Sequence, residues 1–168
     1  MEHTRRKSSR LKGFDYNTPG AYFVTICTCK MRMLFWEDPT GIKHLPIDKR
    51  LNFAGQIADE AIKKLPKVFP LRIEKYVIMP NHIHLIILLT QHADGRGANS
   101  TLCRAVGYLK RAITLALRKE DVDDVIWHRS FYDHIIRNES DFQNIWEYID
   151  NNPNKWAEDR FFEEADNE

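Results

Sequence analysis

Tyr76-Val-Ile-Met-Pro-Asn-His-Ile-His-Leu-Ile-Ile-Leu-Leu89 is the stretch on which the fold turns. Pro80-Asn81 is a tight-turn signal, so the segment reads as an antiparallel hairpin with strands over Arg72–Met79 and His82–Leu89. The second strand is apolar at nearly every position, as expected in the middle of a sheet rather than at its edge. His82 and His84 stand two residues apart on it, and such side chains share a face. An imidazole buried there needs a partner. A divalent cation would serve both rings at once; two half-buried rings satisfied by ordinary hydrogen bonds are the plain alternative.

Working outward, Pro19-Gly20 opens a first strand, Ala21–Cys29, rich in the β-formers Tyr22, Phe23, Val24, Thr25 and Ile26. Met31–Pro46 is irregular, with Pro39, Gly41 and Pro46 marking turns. Phe53, Ile57, Ala61 and Leu65 recur at helical spacing and predict a helix over Leu51–Leu65, ended by Pro66. A polar loop, Gln91–Asn99, leads into a long helix that runs from an N-cap at Ser100 to about Lys119. Asp121–Asp124 breaks it, and Val125–Ile136 is rich enough in β-formers for a fourth strand. Asn138-Glu-Ser-Asp141 signals a last helix, Phe142–Asn151, which Pro153 stops. The order strand, helix, strand, strand, helix, strand predicts an α+β, ferredoxin-like sandwich. It has an antiparallel β-sheet, helices on one face and an appended C-terminal helix carrying Tyr148.

The 168 residues suit a single domain, 1–168, with 43% hydrophobic and 29% charged residues. No apolar run is long enough to span a membrane, and the N-terminus lacks the apolar core of a secretory leader. Cys27, Cys29 and Cys103 show no zinc-type spacing and are expected to be free thiols in a reducing cytoplasm. The net charge of +1 conceals a polarised chain. A basic arm over 1–16 holds Arg5, Arg6, Lys7, Arg10 and Lys12, which suits phosphate contacts. An acidic tail over 157–168 holds Glu158, Asp159, Glu163, Glu164, Asp166 and Glu168.

Tyr148 and Asn152 are four apart in the last helix and share a face. Two imidazoles and one amide oxygen make three ligands for a hard cation, with a phenol one turn away as a nucleophile. The chain carries Arg5-Arg-Lys-Ser-Ser-Arg-Leu-Lys-Gly-Phe-Asp-Tyr16, Gly20-Ala-Tyr-Phe-Val-Thr-Ile-Cys-Thr28, and the Met79-Pro-Asn-His-Ile-His84 string. Trp127-His-Arg-Ser-Phe-Tyr-Asp-His-Ile-Ile-Arg137 and Tyr148-Ile-Asp-Asn-Asn-Pro153 follow in order. In these segments it resembles the REP-associated tyrosine transposases, a branch of the single-tyrosine HUH transposases.

The resemblance implies that His82 and His84 hold Mg²⁺ or Mn²⁺ with Asn152 as third ligand, where related insertion-sequence enzymes often carry Gln. It implies Tyr148 as the nucleophile that cleaves single-stranded DNA and keeps a 5′-phosphotyrosine link. The implied partner is single-stranded DNA with a hairpin, REP-like or an insertion-sequence end, in the bacterial cytoplasm at the nucleoid. Arg5, Arg6, Lys7 and Arg10 are expected at a hairpin stem or its flanks. Arg104, Lys110 and Arg111, with Tyr108 among them, suit backbone tracking and base stacking, with Lys110 foremost. Arg129, beside His128, His134 and Arg137, is a further phosphate contact, whereas His134 reads as a strand-end hydrogen-bonding group. Relatives occur as monomers and as dimers joined through sheet strands; a homodimer is the expectation taken here. Two other functions fit the same residues: a non-catalytic ferredoxin-like nucleic-acid-binding protein, and a phosphodiesterase that uses water and leaves no protein–DNA adduct.

Overall fold

The expected hairpin forms, with β2 at Leu71–Ile78 and β3 at His82–Leu89, and the remaining strands are β1 (Gly20–Cys27) and β4 (Tyr132–Ile136). The computed structural model describes residues 13–40, 46–92, 100–122, 125–159 and 161. All pairings are antiparallel, in the order β2-β3-β1-β4. β3 and β1 are therefore interior, and β3 is buried along nearly its whole length. This is the expected α+β, ferredoxin-like arrangement. The helices are α1 (Ile47–Arg50), α2 (Phe53–Lys64), α3 (Thr101–Arg118) and α4 (Glu139–Asn151).

Strand alternation sorts the side chains onto two faces. Val24, Ile26, Ile83, Leu85 and Ile87 meet Ala58, Ile62, Leu65, Leu102, Val106, Leu109 and Ile113 in one core, so α2 and α3 cover that face. The other face carries Thr25, His82, His84 and Ile86, and α4 lies across it. Thr25 and Val77 flank His84 directly in the register. β2 contains a bulge, since Ile73 pairs with Ile87 but Lys75 pairs with Ile86.

Two expectations need correction. The buried stripe of α2 is Ala54, Ala58, Ala61 and Ile62, whereas Phe53 is 55% exposed. Small residues there let α2 approach the chain beneath it, and size outweighed hydrophobicity at the first turn. The fourth strand is short. Trp127 makes an isolated bridge to Thr28, and regular pairing starts at Tyr132. The last α-helix ends at Asn151, as expected, and Asn152–Glu158 follows it as a 3₁₀ helix with Pro153 in its first turn, where a missing N–H costs nothing.

Ser100 and Asn138 cap α3 and α4 as expected, their side chains accepting from Cys103 N and Asp141 N. Among the described residues Cys27, Cys29 and Cys103 form no disulfide. Among the described residues no helix is long and apolar enough to cross a membrane.

Gly55 is the tightest point of the helical layer. A Cβ there would run into the Phe35 carbonyl oxygen and press on Leu51. Asn52 fixes this approach by accepting from Gly55 N at 3.0 Å and donating to Leu34 O at 2.9 Å. Gly55→Ala is expected to lower stability by about 1–3 kcal/mol, the range for overpacking a close contact, measured from urea unfolding midpoints.

Candidate active site

The two imidazoles of β3 are 0% and 1% exposed and face one another, with His82 Nε2 at 3.0 Å from His84 Nε2. Their outer nitrogens are held from behind. His82 Nδ1 is 2.8 Å from Asn81 Oδ1, and His84 Nδ1 is 2.8 Å from Thr25 Oγ1. An amide oxygen can only accept, so His82 carries its proton on Nδ1 and turns a bare Nε2 toward His84. His84 then donates from Nε2, and Thr25 Oγ1 donates to its Nδ1. A threonine hydroxyl can equally accept. Thr25 therefore also suits the opposite tautomer, in which both Nε2 lone pairs are available to a cation.

Tyr148 reaches the same point from α4, its Oη 3.2 Å from His84 Nε2. The ring is held edge-on to Phe23 of β1 and lies 5.2 Å from the His84 ring. Asn152 follows directly on α4. It is buried, donates from Nδ2 to Asp159 Oδ2 at 2.8 Å, and leaves Oδ1 buried with no hydrogen-bond partner among the described residues. Such an oxygen is unfavourable unless something takes its lone pairs. A cleft of about 330 Å³ opens beside these groups, lined by Glu147, Tyr148, Asn152, Lys155, Glu158 and Asp159.

The donor set fits a hard cation. Adjacent ligands about 2.1 Å from an octahedral ion stand about 3.0 Å apart, the spacing of the two Nε2 atoms. Among the described residues no group of three His, Cys, Asp or Glu side chains is placed to hold a metal ion, so the third donor in this reading is the orphaned Asn152 oxygen.

A chain of hydrogen bonds ties the strand-borne and helix-borne groups together. Asp159 Oδ1 accepts from Phe161 N at 2.9 Å, and Phe161 O accepts from Asn81 Nδ2 at 2.9 Å. Asn152, Asp159, Phe161, Asn81 and His82 thus form one linked series. The Phe161 ring packs 4.5 Å from that of His82. Asp159 belongs to the segment expected to be an acidic tail, and neither it, Phe161, Thr25 nor Asn81 was singled out from sequence. The register places Thr25 opposite His84, but nothing local in the sequence signals it.

The residues expected to hold DNA are dispersed. Arg5, Arg6, Lys7 and Arg10 lie outside the described residues. Arg104, Lys110 and Arg111 are on α3, across the sheet from the tyrosine. The Arg104 guanidinium lies 6.0 Å over the Phe69 ring. Lys110 donates to His128 O at 2.9 Å and Ser130 O at 2.7 Å, bracing the approach to β4. Arg129 is exposed in that approach. His134 binds Asp141 Oδ2 at 2.8 Å, the hydrogen-bonding role expected of it.

Burial pushes the Lys110 ammonium down to about 8, against a smaller upward pull from the Cys27 thiol. Unfolded lysine titrates near about 10.4. Between about pH 8 and about pH 10 the unfolded chain therefore holds more protons, and stability rises with pH. Tyr22, pushed up to about 12 by burial, acts only above about pH 10. Urea midpoints across that window are expected to climb in the wild type and to climb less in Lys110→Met.

No model of a protein family matches the chain. An uncharacterized protein of Haemophilus influenzae is 32% identical over 173 aligned residues, covering 94% of this chain and 93% of the relative. A second protein of that organism, named "Putative REP-associated tyrosine transposase", is 30% identical over 105 residues, covering 56% of each. Among solved structures, a REP-associated tyrosine transposase bound to a REP hairpin shares the fold with a TM-score of 0.58 and 24% identity, covering 94% of this chain and 75% of that one. The chain thus belongs to one family with the uncharacterized Haemophilus influenzae protein it matches over 94% of its length, it is similar over 56% of its length to the protein named as a REP-associated tyrosine transposase, and it shares the fold of the solved one.

Proposed function

We propose that this protein is a metal-dependent nuclease and strand transferase for single-stranded DNA. Tyr148 is its nucleophile, and His82, His84 and Asn152 are the ligands of Mg²⁺ or Mn²⁺. The observation that carries this reading is one convergence: Tyr148 Oη 3.2 Å from His84 Nε2, which is 3.0 Å from His82 Nε2. A core needs neither a pair of buried facing imidazoles nor a phenol aimed at them, whereas metal-assisted attack of a tyrosine on phosphorus uses both.

A bound divalent cation offsets the charge that builds on the phosphoryl oxygens during transfer. The chain supplies the remainder. Tyr148 Oη attacks phosphorus, a tyrosyl O–P bond forms, the bond from phosphorus to the 3′ oxygen breaks, and that oxygen leaves as a 3′-hydroxyl with a proton. The phenol, with an ordinary pKa of about 10, gives up its proton in the attack. The energy of the broken ester is kept in the 5′-phosphotyrosine, so no nucleoside triphosphate is consumed. A later 3′-hydroxyl reverses the step on a new strand. Asn81 and Thr25 hold the imidazoles from behind, and Asp159 directs the Asn152 amide. The hairpin named for the solved relative supports a hairpin-bearing single strand, REP-like or an insertion-sequence end, as substrate.

Incubation with labelled single-stranded hairpin DNA and Mg²⁺ or Mn²⁺ is expected to give a denaturation-resistant protein–DNA adduct, absent with EDTA and in Tyr148→Phe. Equal cleavage by Tyr148→Phe would sink the assignment, and cleavage without an adduct would favour attack by water. Asp159→Ala is expected to weaken Mn²⁺ binding about 10- to 100-fold, the usual effect of losing a group that orients a ligand, read by paramagnetic resonance of free Mn²⁺ without DNA.

A further inference from the structure

We infer that Lys75 is a positioning residue that sets the roll of α4 and thereby the aim of Tyr148, an inference that rests on Tyr148 acting as proposed above. Lys75 stands on β2, an edge strand of the sheet. Its ammonium lies 4.1 Å from the centroid of the Trp146 ring and is ion-paired with Asp150. Trp146 and Asp150 are four apart, so one side chain grips two successive turns of the same helix.

The gripped flank is the one opposite Tyr148. At about 100° per residue, Trp146 and Asp150 each lie about 160–200° around the helix from Tyr148. Ile149, the residue α4 buries fully, lies between the two flanks. A helix resting on such a ridge is free to roll, and rolling lifts one flank as it lowers the other. Holding Trp146 and Asp150 down at the β2 edge therefore fixes where the Tyr148 hydroxyl stands above β3.

The backbone of β2 is irregular where this contact requires it. In an unbroken register Lys75 would lie opposite Leu85 and point into the core beneath α2 and α3. The bulge between Ile73 and Lys75 pairs Lys75 with Ile86 instead, turning it to the α4 face. Tyr76 then returns to the core side, where its hydroxyl donates to Asp59 of α2 at 2.7 Å. One inserted residue serves both faces.

Magnitudes favour Lys75 over the other polar tie of α4. His134 and Asp141 meet at the β4 edge with side chains 54% and 28% exposed, and exposed pairs contribute little. The Lys75 side chain is 17% exposed and Asp150 is 55% exposed, so the grip rests on the indole contact, where an ammonium gains strength as water is excluded.

Lys75→Met keeps most of the stem against Trp146 and removes the charge; Lys75→Arg keeps the charge. Lys75→Met is expected to slow adduct formation at saturating hairpin DNA about 10- to 100-fold, the scale of a misplacement near 1 Å. Its DNA affinity and salt dependence stay unchanged, and Lys75→Arg recovers most of the rate. By hydrogen exchange, amides of 139–151 lose protection in Lys75→Met while those of 101–118 do not. A wild-type rate with wild-type protection overturns the inference. So does weaker DNA binding with a shallower salt slope, which marks a phosphate contact. If the wild type forms no adduct the functional reading fails instead, and the exchange comparison still decides whether Lys75 holds α4.

Discussion

Two imidazoles buried in the middle of a sheet are tolerable because each ring nitrogen has a partner. Leaving one such group unsatisfied costs about 1–3 kcal/mol. Here the turn residue Asn81, the neighbouring strand through Thr25, and the opposing ring supply the partners. Much of the rest follows from that constraint. β3 has to be interior for Thr25 to lie opposite His84, Asn81 has to sit in the turn directly before His82, and α4 has to cross the sheet for Tyr148 to reach His84 Nε2.

The sheet consequently divides its labour. One face packs Ile83, Leu85 and Ile87 against α2 and α3, where small residues such as Gly55 and Ala58 let the layers close. The other face exchanges part of that apolar contact for polar groups whose geometry matters more than their burial. β2 serves both through a bulge, one of the recognised means by which sheets redirect a side chain beside a functional site. Basic residues of α3 stand on the packing side, so any DNA they touch must wrap around the molecule from the tyrosine.

The fold was legible because its signals are local. The alternation in Tyr22–Ile26, the Pro80-Asn81 turn and the caps at Ser100 and Asn138 each act within a few residues. The approach of Tyr148 to His82 and His84 was legible from spacing and from resemblance to a family. What escaped was set by register and by close approach. Thr25 gains its place from a strand partner 59 residues away, and Lys75 from a bulge that no composition rule marks. Phe53 satisfies a helical hydrophobic period yet points outward, because the chain beneath the first turn of α2 comes too close for a large side chain. Asp159 reads as one acid among several in an acidic segment, and its bonds to Asn152 and Phe161 depend on tertiary contacts that composition does not mark.

Because the histidines belong to the sheet and the tyrosine to a helix packed on its far side from the core, the two halves of the site lie in regions of unequal persistence. Amides of β3 are protected by layers on both faces, whereas α4 rests on one buried isoleucine and a few polar ties. Openings that detach a single helix require less free energy than unfolding the whole domain. On warming, Tyr148 would therefore part from the two imidazoles while the sheet and its helical layer are still folded, and on cooling it would return without a refolding step.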